Sequence, residues 1–381
     1  MILNIILCVY ISIILTRFFV AFIYYKNEIK KENNIEKEQK LKLDEITIFQ
    51  PILSGDKNLK DKLSSIYNNI DECNLIWAID DEDIEADRII KEIVGINPKI
   101  NLNVVKIEKS PLSENPKVYK IIKTKHLWKT YTVILDDDTF IDIQKLKTIN
   151  KNDLENGIIT GIPFYKNPCN IFEKMVVAYV NSNAIYNYFT SAFFNKNNTI
   201  NGMFYIFKSD KVISLNMFEN IKNKLCDDYE FAKVAKKNGF KLYQSIIPCK
   251  LSTEIKSIMG LLRLMRRWHV FVNHYIKENF NLNVLIFSII PFMSSLLLII
   301  FASYNIRLLF IFFLFILINS ILNNLFKRIV FKEKFELSSI FYEILSTFIQ
   351  IIYWGISLIN PSIIIWRGKK IKIKNGEIEI K

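Results

Sequence analysis

The sequence predicts an α/β domain, a mainly parallel sheet covered by helices on both faces, set between apolar ends that enter a membrane. Three observations predict it. From residue 45 to about residue 244, short β-branched or aromatic runs alternate with helix-length stretches. Residues 2–25 and most of the chain after 282 are apolar over lengths able to cross a bilayer core of roughly 30 Å. Between them, two strand-like runs close on clusters of aspartate, and like charges at the end of a buried strand repel one another.

The first apolar run, 2–25, carries one charge, Arg17. A cleaved signal peptide would need positive charge at the extreme N-terminus and a small-residue cleavage site. Neither is present, so the run is expected to be an uncleaved anchor, with Arg17 snorkelling or facing other helices. Residues 26–44 form a charged stalk whose lysines place the following domain in the cytoplasm. Within 45–250, strands are expected at 46–53, 75–79, 102–107, 131–135, 157–163 and 204–207, and helices at 59–70, 86–94, 118–128 and 172–188. Residues 251–282 read as an interfacial amphipathic segment. In 283–365, the runs 284–304 and 308–325 are followed by a third, 337–358, which contains Glu343 and Gln350. That third run suits a span, a re-entrant hairpin or an interfacial helix, and Pro361 is expected to break it. Residues 366–381 are a basic tail.

Composition narrows the class. Half the residues are hydrophobic and the net charge is +13. In a chain with spans, Lys and Arg flanking them explain such a charge better than nucleic acid does. The abundance of Ile, Lys and Asn is what an AT-rich genome encodes, so most lysines are given no role. Five scattered cysteines lack paired spacing, which excludes a disulfide framework and suits a reducing compartment. Three histidines are too few for a His-rich metal site, and no nucleophile elbow, phosphate-binding glycine loop or zinc signature is present.

Four groups carry chemistry. Asp136-Asp137-Asp138 closes the run 131–135. Hard Mg²⁺ or Mn²⁺ would relieve the repulsion, taking a few carboxylates plus substrate phosphate oxygens; capping of the stretch near Asp142 is the alternative. A second group, Asp80-Asp81-Glu82-Asp83, closes another strand and precedes a helix with Glu85 and Asp87 in its first turn, where capping accounts for part of the charge. The third, Cys226-Asp227-Asp228-Tyr229, opens a helix that Asn238-Gly239 ends; its aspartates are either caps or include a general base. The fourth is Arg263-Leu264-Met265-Arg266-Arg267-Trp268-His269, an interfacial helix that can also bring an arginine to a departing diphosphate.

In this order the four groups resemble family 2-type glycosyltransferases of GT-A fold, the Rossmann-like nucleotide-diphospho-sugar transferase fold. Further stretches are similar to the ceramide glucosyltransferase branch and its hopanoid-lipid relatives: Gln50-Pro51-Ile52-Leu53-Ser54-Gly55-Asp56, Asn115-Pro116-Lys117-Val118, Gly161-Ile162-Pro163-Phe164, Asn201-Gly202-Met203, and Trp366-Arg367-Gly368 with Lys374-Asn375-Gly376. The resemblance implies that 45–250 is the catalytic domain. It implies that Asp80 binds the nucleoside, and that Asp136 and Asp138 are the DxD that holds Mg²⁺ or Mn²⁺ and the donor diphosphate. Asp228 would be the base that activates the acceptor, Arg267 and Trp268 the Arg-Trp of the catalytic helix, and Asp227, Arg266 and Gly202 acceptor-side or flanking positions. Two positions depart from the branch. Leu264 stands where its motif has Gln or Arg, with Arg263 one place early, and Thr160 stands where His is frequent.

The implied enzyme is a membrane-bound inverting glycosyltransferase facing the cytoplasm. It would move a hexose from a nucleotide sugar, UDP-glucose first among the donors, to a hydroxyl of a lipid acceptor such as ceramide. Alternatives are a polyprenyl-phosphate or polysaccharide transferase, and a non-catalytic or degenerate protein of the same fold.

Overall fold

The computed structural model of the chain describes all residues except Met1, Asp71, Ile100, 302–303, Phe335, 360–362, 367–368, 375–376 and Lys381, and most of the chain beyond 363 by its backbone alone. The expected break at Pro361 and the Arg367-Gly368 and Asn375-Gly376 positions therefore lie outside the described residues. The chain divides into two compact units. One comprises 28–163, 197–252 and 370–381; the other comprises 1–27, 164–196 and 253–369.

The first unit is built on an eight-stranded sheet. Its strands are β1 (Ile46–Pro51), β2 (Asn74–Asp80), β3 (Leu102–Ile107), β4 (Tyr131–Leu135), β5 (Thr139–Phe140), β6 (Gly157–Tyr165), β7 (Phe204–Lys208) and β8 (Lys241–Leu251), in the order β3-β2-β1-β4-β7-β6-β8-β5. Alternate residues face opposite cores, as the two-residue period of a strand requires. Ile48, Trp77 and Val133 enter one core with the helices Leu59–Tyr67 and Ile84–Ile96. Phe49, Ile76, Ile134 and Tyr205 enter the other with Pro116–Thr124 and Asp227–Lys237. The sheet is thus covered on both faces.

The expectation of a mainly parallel sheet needs correction. Pairs β2/β3, β1/β2 and β1/β4 are parallel, whereas β4/β7, β6/β7 and β5/β8 are antiparallel. Buried strands read as continuous apolar runs whichever way the chain travels, so direction was not legible. The short β5 and the strand β8, also outside the expected set, complete the antiparallel half. The result is a mixed α/β sheet whose central strand β4 is parallel to one neighbour and antiparallel to the other. Ligands of open α/β sheets bind beyond the carboxyl ends of the parallel strands, where strand order switches, and that is where β4 delivers Asp136.

The second unit holds the apolar helices. Four helices among the described residues are long and apolar enough to cross a membrane: Ile2–Asn33, Leu282–Phe301, Ile306–Phe331 and Leu337–Ser357. The first runs on through part of the expected stalk. Arg17 faces another helix, its Nη2 donating to Asn187 Oδ1 across 2.6 Å on the helix Ile171–Phe193. The third C-terminal run is one continuous helix, and its acid is satisfied internally. Buried Glu343 accepts from Ser320 Oγ at 3.0 Å and from Asn324 Nδ2 at 3.1 Å, and pairs with Lys327, all from the preceding helix. An ionisable group in an apolar helix needs such partners, because leaving a charge bare there costs several kcal/mol.

Candidate active site

The acidic clusters separate into residues that hold the backbone and residues left to do chemistry. Asp83 caps the helix Ile84–Ile96, its Oδ1 accepting from the Ala86 amide at 3.0 Å, while its Oδ2 accepts from the Ser54 amide at 2.9 Å. Asp142 caps the next short helix through the Gln144 amide. Asp137, the middle residue of the triplet, accepts from the Leu53 amide at 2.9 Å and so ties the turn after β4 to the end of β1. Gln50 continues that tie. Its Nε2 donates to Asp136 O at 3.3 Å and its Oε1 accepts from Trp77 Nε1 at 2.9 Å.

Asp136 and Asp138 remain. Asp138 is pushed up to about 7 by burial and by the neighbouring charges of Asp136 and Asp137, against the pull of Lys62 and Thr139. A carboxyl held that far above its ordinary range is one that a cation would return to its charged form. Among the described residues no three His, Cys, Asp or Glu side chains are grouped to hold a metal ion on their own. The pair still fits Mg²⁺ or Mn²⁺, since these ions are commonly held by one or two carboxylates completed by substrate phosphates and water.

Sequence reasoning quoted Lys117 only within a stretch of resemblance and gave no role to it or to Lys120, the cations that complete the site. The helix Pro116–Thr124 begins at Asn115, whose Oδ1 accepts from the Lys117 amide at 3.0 Å, with Pro116 in the first turn. Lys117 and Lys120, three residues apart, lie on one helix face. Lys117 Nζ is 2.7 Å from Asp136 Oδ1 and 3.4 Å from Asp227 Oδ2, and donates to Gly202 O at 2.9 Å. Burial opposes its charge, but Asp136 and Asp227 outweigh that and hold its pKa well above the ordinary lysine value. Buried Lys120 is 3.1 Å from Asp80 Oδ1 and donates to Ile52 O at 2.8 Å, which fixes Asp80 at the end of β2. The available signal was Lys-x-x-Lys behind a capping Asn-Pro, but it was hidden among 51 basic residues.

Asp227 and Asp228 open the helix Asp227–Lys237, with Cys226 at the N-cap position. The Cys226 side chain accepts no hydrogen bond from the first-turn amides. Asp228 Oδ1 takes the Tyr229 amide at 2.8 Å and the Cys226 thiol at 3.1 Å. Oδ2 lies against Gly202, where a Cβ would stand only 2.9 Å from it. Burial and then the Asp227 charge raise the Asp228 pKa; Cys226, Lys117 and the Tyr229 amide lower it. The turn carrying Gly202 is pinned by Thr160, whose Oγ1 accepts from the Asn201 amide at 2.8 Å and donates to Phe204 O at 2.9 Å. Thr160, buried in β6, therefore shapes the loop over Asp228.

The structure thus brings Asp136, Asp227, Asp228 and Gly202 together around Lys117, with Asp138 beside Asp136 in the chain and Asp80 held by the same helix. Arg266, Arg267 and Trp268 belong to the other unit, on the helix Ile258–Glu278 that Ser257 caps. There Trp268 packs with Tyr165 and Tyr179, ring centroids 6.2 and 6.3 Å apart. Tyr179 hydroxyl meets His269 Nε2 at 3.2 Å, and burial lowers the His269 pKa to about 4, so the imidazole is neutral. Arg266 Nη2 donates to Ile359 O at 2.8 Å. Arg263 is exposed and one turn from Arg267, on the row of Arg267 rather than the Leu264–Trp268 row, so it does not take the place of Leu264.

The chain is similar to several known proteins. Ceramide glucosyltransferase 1 of Caenorhabditis elegans is 20% identical over 266 residues, covering 68% of this chain and 56% of that protein. The chain therefore spans little more than half the length of that relative. Among solved structures, the mannosyltransferase PcManGT of Pyrobaculum calidifontis, in complex with GDP-Man and Mn²⁺, is 12% identical with a TM-score of 0.47, over 93% of this chain and 98% of that one. TarS 1–349 of S. aureus, in complex with UDP-GlcNAc, is 12% identical with a TM-score of 0.38, over 88% of this chain and 99% of that one. The model of glycosyl transferase family 21 matches residues 13–379, nearly the whole chain. The chain belongs to glycosyl transferase family 21.

Proposed function

We propose that this glycosyltransferase moves a hexose from a nucleotide sugar to a hydroxyl of a membrane lipid, with inversion at the anomeric carbon. UDP-glucose is the donor and a ceramide-like lipid the acceptor we favour, by the similarity to a ceramide glucosyltransferase. The single observation that carries the mechanism is Asp228. Both hydrogen bonds it receives among the described residues go to Oδ1, and Oδ2 faces the one neighbour without a side chain, Gly202.

In this reading Oδ2 takes the proton of the acceptor hydroxyl as the acceptor oxygen forms its bond to the anomeric carbon. The bond from that carbon to the diphosphate oxygen breaks, and its electron pair leaves with the nucleoside diphosphate. General-base assistance of this kind contributes roughly 10²–10⁴-fold. Asp80, fixed by Lys120, orients the nucleoside. Asp136 and Asp138 would hold Mg²⁺ or Mn²⁺, which when bound neutralises charge on the leaving diphosphate. Asp227 flanks the base and sets its electrostatics; Arg267 and Trp268 serve the diphosphate and acceptor, and Arg266 anchors their helix. The four apolar helices, long enough to cross a membrane, would hold the enzyme in the bilayer where a lipid acceptor resides, and the lysines following the first apolar run would orient the sheet unit to the cytoplasm.

Asp228→Asn tests the base. It should abolish transfer while nucleotide-sugar binding to the solubilised chain persists, and turnover like wild type would sink the assignment. Lipid mass spectrometry after expression in a host lacking glycosphingolipids, with and without fed ceramide, tests the acceptor. The product of a polyprenyl-phosphate acceptor in that experiment would replace ceramide.

A further inference from the structure

The donor-side acid Asp136 ends a central strand and Asp227 opens a later helix, yet one buried side chain touches both. Lys117 Nζ is 2.7 Å from Asp136 Oδ1, 3.4 Å from Asp227 Oδ2 and 2.9 Å from Gly202 O. The Asp227 contact has ion-pair distance without hydrogen-bond geometry, so among the described residues Asp227 Oδ2 is buried with no hydrogen-bond partner. The Asn201 amide Nδ2 and the Tyr205 hydroxyl are likewise buried without hydrogen-bond partners among the described residues. Asn201 precedes Gly202, and Tyr205 is an electrostatic neighbour of Lys117, Asp227 and Asp136. Polar groups left in that condition mark a place awaiting a polar occupant, since unsatisfied buried groups are otherwise rare.

We infer that Lys117 is a positioning residue that clamps Asp136 to Asp227 while no donor is bound, and that gives up Asp136 to pair with the donor's diphosphate when the nucleotide sugar enters. The inference rests on the transferase reading above. An ammonium 2.7 Å from a carboxylate oxygen competes with a divalent cation for that oxygen, because the two like charges repel. The DxD pair is therefore a poor site for a metal ion alone. A diphosphate changes the balance, since its anionic oxygens can satisfy the ammonium and the metal together. Metal and donor binding become thermodynamically coupled, and Lys117 carries part of that coupling.

The experiment measures Mn²⁺ binding to the detergent-solubilised full chain by electron paramagnetic resonance, with and without UDP. Wild type should bind Mn²⁺ weakly alone and at least tenfold more tightly with saturating UDP. Lys117→Met should bind Mn²⁺ alone at least fivefold more tightly than wild type, and UDP should enhance that binding much less. Lys117→Arg, which keeps the charge, should retain most of the coupling. Lys117→Gln, still able to donate to Gly202 O, replaces the methionine variant if that variant fails to fold, and should shift both quantities in the same directions. Unchanged Mn²⁺ affinity and unchanged coupling in the neutral variants, or weaker Mn²⁺ binding alone, would overturn the role of Lys117 with the transferase reading intact. A wild-type chain that binds neither UDP nor Mn²⁺ would overturn both.

Discussion

The Cys226 thiol donates to Asp228 Oδ1 across 3.1 Å, and the Tyr229 amide donates to the same oxygen across 2.8 Å. One oxygen of the proposed base is thereby pinned by its own helix start. The other lies against Gly202.

Removing the thiol should move the acid limb of the pH–rate profile upward. The Cys226 hydrogen bond favours the charged form of Asp228, and transfer requires that charged form. Activity is therefore lost as pH falls through the Asp228 pKa, and Cys226→Ala raises that pKa. Cys226→Ser keeps a donor and should restore the wild-type limb. Steady-state rates across pH for the three proteins check this, and a coincident acid limb in all three would remove the positioning role.

Asp227→Asn should move the same limb the other way. Asp227 is a like charge that raises the Asp228 pKa, second only to burial. Its neutral isostere lets the base ionise at lower pH, so the variant retains a larger fraction of its maximal rate in acid. An upward shift in this variant would contradict the electrostatic account.

Gly202→Ala should slow transfer at least tenfold, about 1.4 kcal/mol of barrier. Its new Cβ would meet Asp228 Oδ2 at 2.9 Å and the Asp228 Cβ and Cγ at 3.1 Å, so the base itself must shift. The loss should appear in kcat with the donor KM little changed, because the donor acids stand on other elements. A change confined to donor KM would mean that Gly202 serves the nucleotide instead.

Asp138→Asn should stabilise the metal-free protein at pH 8 while abolishing its response to Mn²⁺. The Asp138 pKa lies at about 7 in the folded protein, above the ordinary carboxyl value of about 4. The acid therefore favours the fold at low pH, and that contribution is lost as pH rises from about 4 to about 7. Above pH 7 the folded state carries a crowded charge that asparagine removes. Thermal melts of both proteins in EDTA should show the variant a few degrees higher at pH 8 and no advantage at pH 4. For wild type, EDTA should abolish transfer and Mg²⁺ or Mn²⁺ should restore it.

Much of the fold was legible because its signals are local. Strand positions and the Asn238-Gly239 stop depend on a few consecutive residues, and Gly239 does take the left-handed φ of +82° that such a stop uses. The same holds for the apolar runs, whose length alone suits a bilayer. Asp136, Asp138 and Asp228 stood out because charge at the end of an apolar strand or the start of a helix is visible in one dimension.

What the sequence by itself determined, then, is the alternation of elements, the apolar ends and the acids of the candidate site. Only the tertiary structure decided that Asp137 holds the end of β1, that β4 runs antiparallel to β7, and that Glu343 is matched by Lys327. It alone brought Lys117 to Asp136 and Asp227 and Lys120 to Asp80. The physical reason is that each of these depends on which side chain arrives across space with the opposite charge or a free donor, and the packing of separate elements sets that distance.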